Sequence, residues 1–164
     1  MEKTMDGILH NSAMTQIAFL VEDMEGARKN FSAFFGSTAT EPVSTGEYEQ
    51  VQTVYNGKEA KEAKALLSFI RFGGPVEIEL ICPDSGPSIW RDCLKENGEG
   101  FHHIAFSIKN MDDQIAACEK AGIRLVQSGY YSDRSGRYAY LDARNRIGCY
   151  IELLESFETE REKL

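Results

Sequence analysis

Apolar and polar positions along the chain follow two rhythms, and both halves use them in the same order. Residues 16–21 alternate with a period of two, as a strand does. Met24, Ala27, Phe31 and Phe34/Phe35 then recur at helical spacing behind Asp23, an N-cap residue, and Gly36 stands where that helix should stop. Segments 66–72 and 76–82 read as strands joined by a Gly73-Gly74-Pro75 turn. The second half repeats the order. A strand over 101–108 leads to Asn110 as a cap, then to Met111, Ile115, Cys118 and Ala121 at helical spacing, and to Gly122. Strands follow over 123–126, 138–141 and 149–155, with a polar, aromatic-bearing loop over 130–137.

Between the halves, 88–96 predicts a short amphipathic helix with Ile89, Trp90, Cys93 and Leu94 on one side. Segment 48–55 is polar but β-prone, an exposed or cavity-lining strand. Segment 57–65 is rich in Lys, Glu and Ala, which favours a surface helical turn or a loop. Residues 1–14 show no period and read as a loosely structured N-terminal extension; 156–164 reads as a charged, solvated tail.

The repetition extends to residue identity. The strand at Gln16 and the strand at His103 share Ile-Ala-Phe, and each is followed by a cap residue and a methionine (Met24, Met111). The strands around Glu79 and Glu152 share Ile-Glu-Leu. The first pair is offset by 87 positions (16 to 103) and the second by 73 (79 to 152), so the first half is longer by 14. The fold class expected is α+β: two pseudo-symmetric βαβββ modules, 15–83 and 101–155, joined by a linker over 84–100 within one domain over 15–155. Their strands would form a curved mixed sheet around a cavity.

The repeat makes the polar positions informative. Gln16 and His103 occupy equivalent strand starts; Glu79 and Glu152 occupy equivalent places in the last strands. On the second strand His103, Ala105 and Ser107 share a face, with Ile104, Phe106 and Ile108 opposite, and the small residues leave room beside the imidazole. His102 should face the other side, as a packing residue or one that supports a ligand from behind. Glu77 shares a face with Glu79 and rivals it; the repeat alignment favours Glu79. Imidazole, amide oxygen and two carboxylates suit a divalent cation such as Zn, Ni, Co, Mn or Mg. The plain alternative is two solvated glutamates on the wet face of a sheet.

Composition narrows the classes. At 164 residues with 42% hydrophobic content, one domain with a sizeable core is expected. A net charge of -8 without a basic cluster disfavours nucleic acid. No apolar run reaches a membrane span and the first residues lack a leader's apolar core, so a cytoplasmic location is expected. Cys82, Cys93, Cys118 and Cys149 form no C-x-x-C pair and read as buried reduced thiols.

The paired modules, the two Ile-Glu-Leu strands and the stretch Gly98-Glu99-Gly100-Phe101-His102-His103-Ile104-Ala105-Phe106 resemble the vicinal oxygen chelate superfamily. That group contains glyoxalase I, methylmalonyl-CoA epimerase, extradiol dioxygenases and bleomycin-resistance proteins. Residues 83–106 with 149–154 look most like methylmalonyl-CoA epimerase. The resemblance implies metal ligands at Gln16, Glu79, His103 and Glu152. Epimerases usually carry His where Gln16 stands, and some glyoxalase I enzymes carry Gln there, so the ligand set is glyoxalase-like within an epimerase-like framework. Gln16 also disfavours a dioxygenase iron site.

The implied activity is that of a metal-dependent isomerase, epimerase or lyase acting on a small carbonyl or thioester compound by α-proton abstraction and enediolate stabilisation. Glu152 and Glu79 would be its catalytic carboxylates. A glyoxalase I-type lactoylglutathione lyase and a metal-free small-molecule binder are the alternatives. A homodimer is a further expectation, with the modules pairing within one chain or between two. Glu49 is the nearest candidate for an epimerase's second proton-transfer carboxylate, and Arg71 or Arg91 could meet an anionic substrate tail.

Overall fold

Alternating side chains give most strands two unlike faces, and the sheet they build is clothed differently on each side. The computed structural model describes residues 7–10 and 12–157; residues 1–6 and 11 of the expected extension and 158–164 of the expected tail lie outside them. In chain order the elements are β1 (Ala13–Leu20), α1 (Met24–Phe35), β2 (Val43–Ser44), α2 (Tyr48–Val51), β3 (Val54–Tyr55), β4 (Lys58–Glu59), β5 (Ala65–Arg71), β6 (Glu77–Pro83), α3 (Ile89–Asn97), β7 (Gly100–Ser107), α4 (Met111–Lys120), β8 (Arg124–Tyr130), β9 (Gly136–Asp142), α5 (Arg144–Ile147) and β10 (Tyr150–Ser156).

All ten strands form one sheet in the order β2-β5-β6-β1-β7-β10-β9-β8-β3-β4. β1 and β7 pair antiparallel at its centre. β6 runs parallel to β1 and β10 runs parallel to β7. The outward order β1-β6-β5-β2 in one half therefore matches β7-β10-β9-β8 in the other. This is the α+β arrangement of two like modules in a curved mixed sheet, with both halves paired inside one chain.

The extra length of the first half is the segment between β2 and β5. It leaves the outer edge of its own module and lays β3 on β8, the outer edge of the other module, with Val54 opposite Ser128 and Tyr55 opposite Gln127. The expected strand over 48–55 is thus a helical turn followed by a short strand. The turn starts where Gln50 Oε1 accepts the Glu47 N–H at 3.4 Å. Of the two expectations for 57–65, the loop holds over 60–64 and the helical turn does not: Lys58–Glu59 is the return arm of a hairpin with β3, whose edge offers those backbone groups partners that an isolated helical turn lacks.

Three apolar clusters fill the layers. Under α1, Ile70 and Leu80 pack with Val21, Met24 and Ala39. Under α4, Leu141, Ile151 and Leu153 pack with Met111 and Cys118. On the opposite, concave side, α3 contributes Ile89, Trp90, Cys93 and Leu94 against Ala18, Ile81, Tyr140 and Tyr150. Asp23 caps α1 by accepting the Gly26 N–H, a bond of about 1 kcal/mol, and the helix ends on Gly36 at φ 65. Asn110 precedes α4, but its side chain does not cap; the Glu155 carboxylate accepts the Met111 N–H instead, at 3.0 Å.

The N-terminal stretch is better anchored than its composition suggests. Ile8 and Leu9 pack on the second module, and Gln114 bonds the His10 backbone through both its oxygen and its nitrogen. All four cysteines are free, three of them buried. Among the described residues no helix is long and apolar enough to cross a membrane.

Candidate metal and substrate site

The four singled-out side chains sit at the centre of the sheet, and strand register brings them there. Gln16 pairs with Glu77 and Ala18 with Glu79 across β1 and β6. Across β7 and β10, His103 pairs with Tyr150 and Ala105 with Glu152. Ala18 and Ala105 are fully buried methyl groups between the longer side chains, and they keep the centre open.

Glu79, His103 and Glu152 come together. Each is buried, and their ligand-type atoms all lie within 4.8 Å of one another. His103 Nε2 is 3.0 Å from Glu152 Oε2 and 3.5 Å from Glu79 Oε2. Neither contact has hydrogen-bond geometry: His103 Nε2 and Glu79 Oε2 are both buried without a hydrogen-bond partner among the described residues. Leaving such an atom dry and unpaired costs about 1–3 kcal/mol. Three buried donors aimed at one point, two of them orphaned, fit a divalent cation.

Gln16 faces the same cavity from β1. Its Nε2 donates to Glu77 Oε1 at 3.0 Å, which leaves the amide oxygen as the end available to a cation. Glu77 is thereby explained: it holds Gln16 on one side and Arg71 on the other, where Arg71 Nε donates at 2.8 Å. Arg91 is spent on the backbone carbonyls of Pro83 and Asp84. Glu49 is exposed on α2 and does not line the cavity. The expectations attached to Arg71, Arg91 and Glu49 thus lose their geometric basis.

Burial sets the charges. Burial first, then the nearby Glu152 and Glu77 carboxylates, pushes the Glu79 carboxyl well above the usual range, which favours its protonated form when no cation is bound. Tyr140 is raised well above a normal phenol by burial, then by Glu152 and Glu79. Its hydroxyl accepts from Trp90 Nε1 at 3.1 Å, which directs its own proton toward the adjacent Glu152 carboxylate. Tyr138 is pushed up to about 12, chiefly by burial.

The expected orientation of His102 is corrected. Ala18 pairs with His103, while Phe19 pairs with Phe101, so His102 is the extra residue of a β-bulge. A bulge cancels the alternation, and His102 turns its ring to His103, Nδ1 to Nδ1 at 2.9 Å. Burial, His103 and Arg144 lower its pKa well below the usual imidazole value.

The cavity holds about 310 Å³. Trp90, Tyr130 and Tyr131 line it, together with Val43–Ser44 of β2. Phe69 and Tyr140 line it too and had not been singled out. The signal was present: Phe69 lies opposite Glu79 and Tyr140 opposite Glu152 in the neighbouring strands, one alternation step from residues already on the cavity face.

Comparison with known proteins agrees with this architecture. A family profile described as glyoxalase/bleomycin resistance protein/dioxygenase superfamily matches residues 15–141. The uncharacterized protein YqjC of Bacillus subtilis is 29% identical over 96 residues, 58% of this chain and 68% of that protein. A hypothetical protein of Bacillus halodurans C-125 superposes with a TM-score of 0.64 at 19% identity, covering 92% of this chain and 98% of the other. A methylmalonyl-CoA epimerase of Streptomyces coelicolor, in complex with 2-nitronate-propionyl-CoA, superposes with a TM-score of 0.63 at 21% identity, covering 92% and 99%. The corresponding enzyme of Mycobacterium tuberculosis gives 0.62 at 18%, covering 88% of each chain. At these identities the structural likeness is one of fold.

Proposed function

We propose that this chain, which belongs to the glyoxalase/bleomycin resistance protein/dioxygenase superfamily, is a metal-dependent isomerase, epimerase or lyase that removes a proton α to a carbonyl or thioester. The observation that carries this reading is the buried Glu79-His103-Glu152 cluster with two orphaned atoms at the floor of an aromatic cavity. His103, Glu79, Glu152 and the amide oxygen of Gln16 would hold a divalent cation of the Zn, Ni, Co, Mn or Mg kind. Bound there, such a cation supplies a Lewis acid for the substrate oxygen on which charge develops.

The chain's own residues account for the rest. Glu152 is the base that takes the α-proton and returns it. Tyr140 holds that carboxylate through its hydroxyl, and Trp90 fixes the hydroxyl in turn. Ala18 and Ala105 leave space for the reacting carbon beside the carboxylates. Phe69, Trp90, Tyr130 and Tyr138 offer ring faces to the remainder of the substrate and exclude water. Among the described residues no lysine or arginine lines the cavity, which favours an uncharged group for the enclosed part of the substrate. The thioesters of the epimerase neighbours and hemithioacetals are the classes to try first.

The test pairs metal analysis with exchange. Protein purified without chelator, then reloaded with Zn, Ni, Co or Mn, should bind about one equivalent and exchange substrate α-protons with deuterium. His103→Ala and Glu152→Ala should lose both. The aromatic lining favours a second reading, a metal-free protein that sequesters a small aromatic compound. Absence of metal uptake by the wild type, with ligand-dependent quenching of Trp90 fluorescence, would establish that reading instead.

A further inference from the structure

His102 lies outside the set of four, yet it makes the only hydrogen bond to His103's ring among the described residues, Nδ1 to Nδ1 at 2.9 Å. Two imidazole nitrogens at that distance share one proton: one donates and the other accepts. The other end of His103 decides which. Its Nε2 points among two carboxylates and makes no hydrogen bond to either, although Glu152 Oε2 is only 3.0 Å away. Holding a cation through that nitrogen requires its lone pair there, which puts the proton of His103 on Nδ1.

We infer that His102 is a positioning residue: its Nδ1 accepts the Nδ1–H of His103 and so fixes His103 in the tautomer whose Nε2 lone pair faces the carboxylates. The proton of His102 is then on its own Nε2, which is buried without a partner among the described residues. The backbone makes this possible. Without the bulge His102 would project to the opposite face of β7; with it, both rings lie on one side, 5.2 Å apart at 81°. Tyr140 and Tyr150 pack around His102 at 5.8 and 5.2 Å and hold its ring in place. Partners that orient a ligating histidine in this way are usually carboxylates or carbonyls; here the partner is a second, neutral imidazole.

This inference rests on the metal reading of the site, and its test separates the two. In metal-free wild type, long-range proton–nitrogen NMR should show His103 protonated at Nδ1 and His102 at Nε2. Zinc affinity, measured by competition with a chromophoric chelator, should fall roughly 10–100-fold in His102→Phe. His102→Asn places an amide oxygen where Nδ1 was and should restore affinity to within about 3-fold of wild type. Circular dichroism and thermal unfolding report whether each variant folds.

His103 protonated at Nε2 would overturn the inference, as would a folded His102→Phe that binds zinc like wild type. A wild type that takes up no zinc would overturn the metal reading. The tautomer measurement on that same protein would still decide the role of His102.

Discussion

The two matched glutamates have the same backbone and different company. Glu152 on β10 lies opposite Tyr140, and Glu79 on β6 lies opposite Phe69. One carboxylate therefore has a phenol beside it and an imidazole at 3.0 Å, while the other has a phenyl ring and an orphaned oxygen. The same asymmetry recurs one strand over, where Gln16 stands in the place of His103. Bulges also occur at equivalent places, with Thr15 the extra residue in β1 and His102 in β7. Thr15 bonds the Ala105 carbonyl at 3.4 Å, whereas His102 bonds a candidate ligand. The repeat supplies equivalent positions; on the proposed reading, their neighbours would give proton transfer to Glu152 alone while both modules hold the cation.

The largest effect should separate the two glutamates. Glu152→Gln is expected to lower α-proton exchange by roughly 10²–10⁴-fold, whereas Glu79→Gln should act mainly through metal affinity and recover much of its rate at saturating metal. Equal, unrecoverable losses in both would break the division of labour. Next comes Tyr140→Phe, which gives Glu152 the surroundings of Glu79. It should slow exchange, measured at saturating metal, by roughly 10-fold. It also strands the Trp90 N–H, so urea unfolding should show a loss of about 1–3 kcal/mol.

The pH dependence of stability sharpens the contrast from the Glu79 side. With chelator present, the folded Glu79 carboxyl titrates well above its unfolded value of about 4.3. Above that pH the unfolded chain holds fewer protons than the folded one, so stability falls as pH rises toward the folded pKa. Thermal melts in chelator should show this decline, and Glu79→Gln should flatten it. Phe69→Tyr offers Glu79 a hydroxyl and should reduce the slope by a smaller amount; an unchanged slope would show that the added hydroxyl does not bond Glu79. Smallest of all, Arg71→Ala removes an ion pair whose arginine is 66% exposed, and should cost no more than about 0.5 kcal/mol.

What the sequence disclosed follows from what repeats. Ile-Glu-Leu occurs twice on strands of the same rank, so the carboxylates and the βαβββ order could be read from it. The bulge at His102 could not, because alternation counts residues and does not show where one is left unpaired. Lys58 and Glu59 lie in a stretch of helix-favouring residues, and they pair with β3, which is itself held in the sheet by β8, more than sixty residues further along the sequence. Asn110 reads as a side-chain cap, but a distant glutamate does that work. In each case a long-range contact outweighed a local preference.

The crossing of β3 to β8 also sets an order of events at synthesis. Strands β1, β6, β5 and β2 can assemble as soon as the first module has left the ribosome. Val54 and Tyr55 cannot find Ser128 and Gln127 until the second module follows, so the hairpin waits with an unpaired edge while about seventy further residues are made. Its return arm, Lys58 and Glu59, is charged and exposed. Charge at such an edge discourages pairing with a neighbouring nascent chain. The same segment that closes the finished sheet is thus built to stay solitary until its partner arrives.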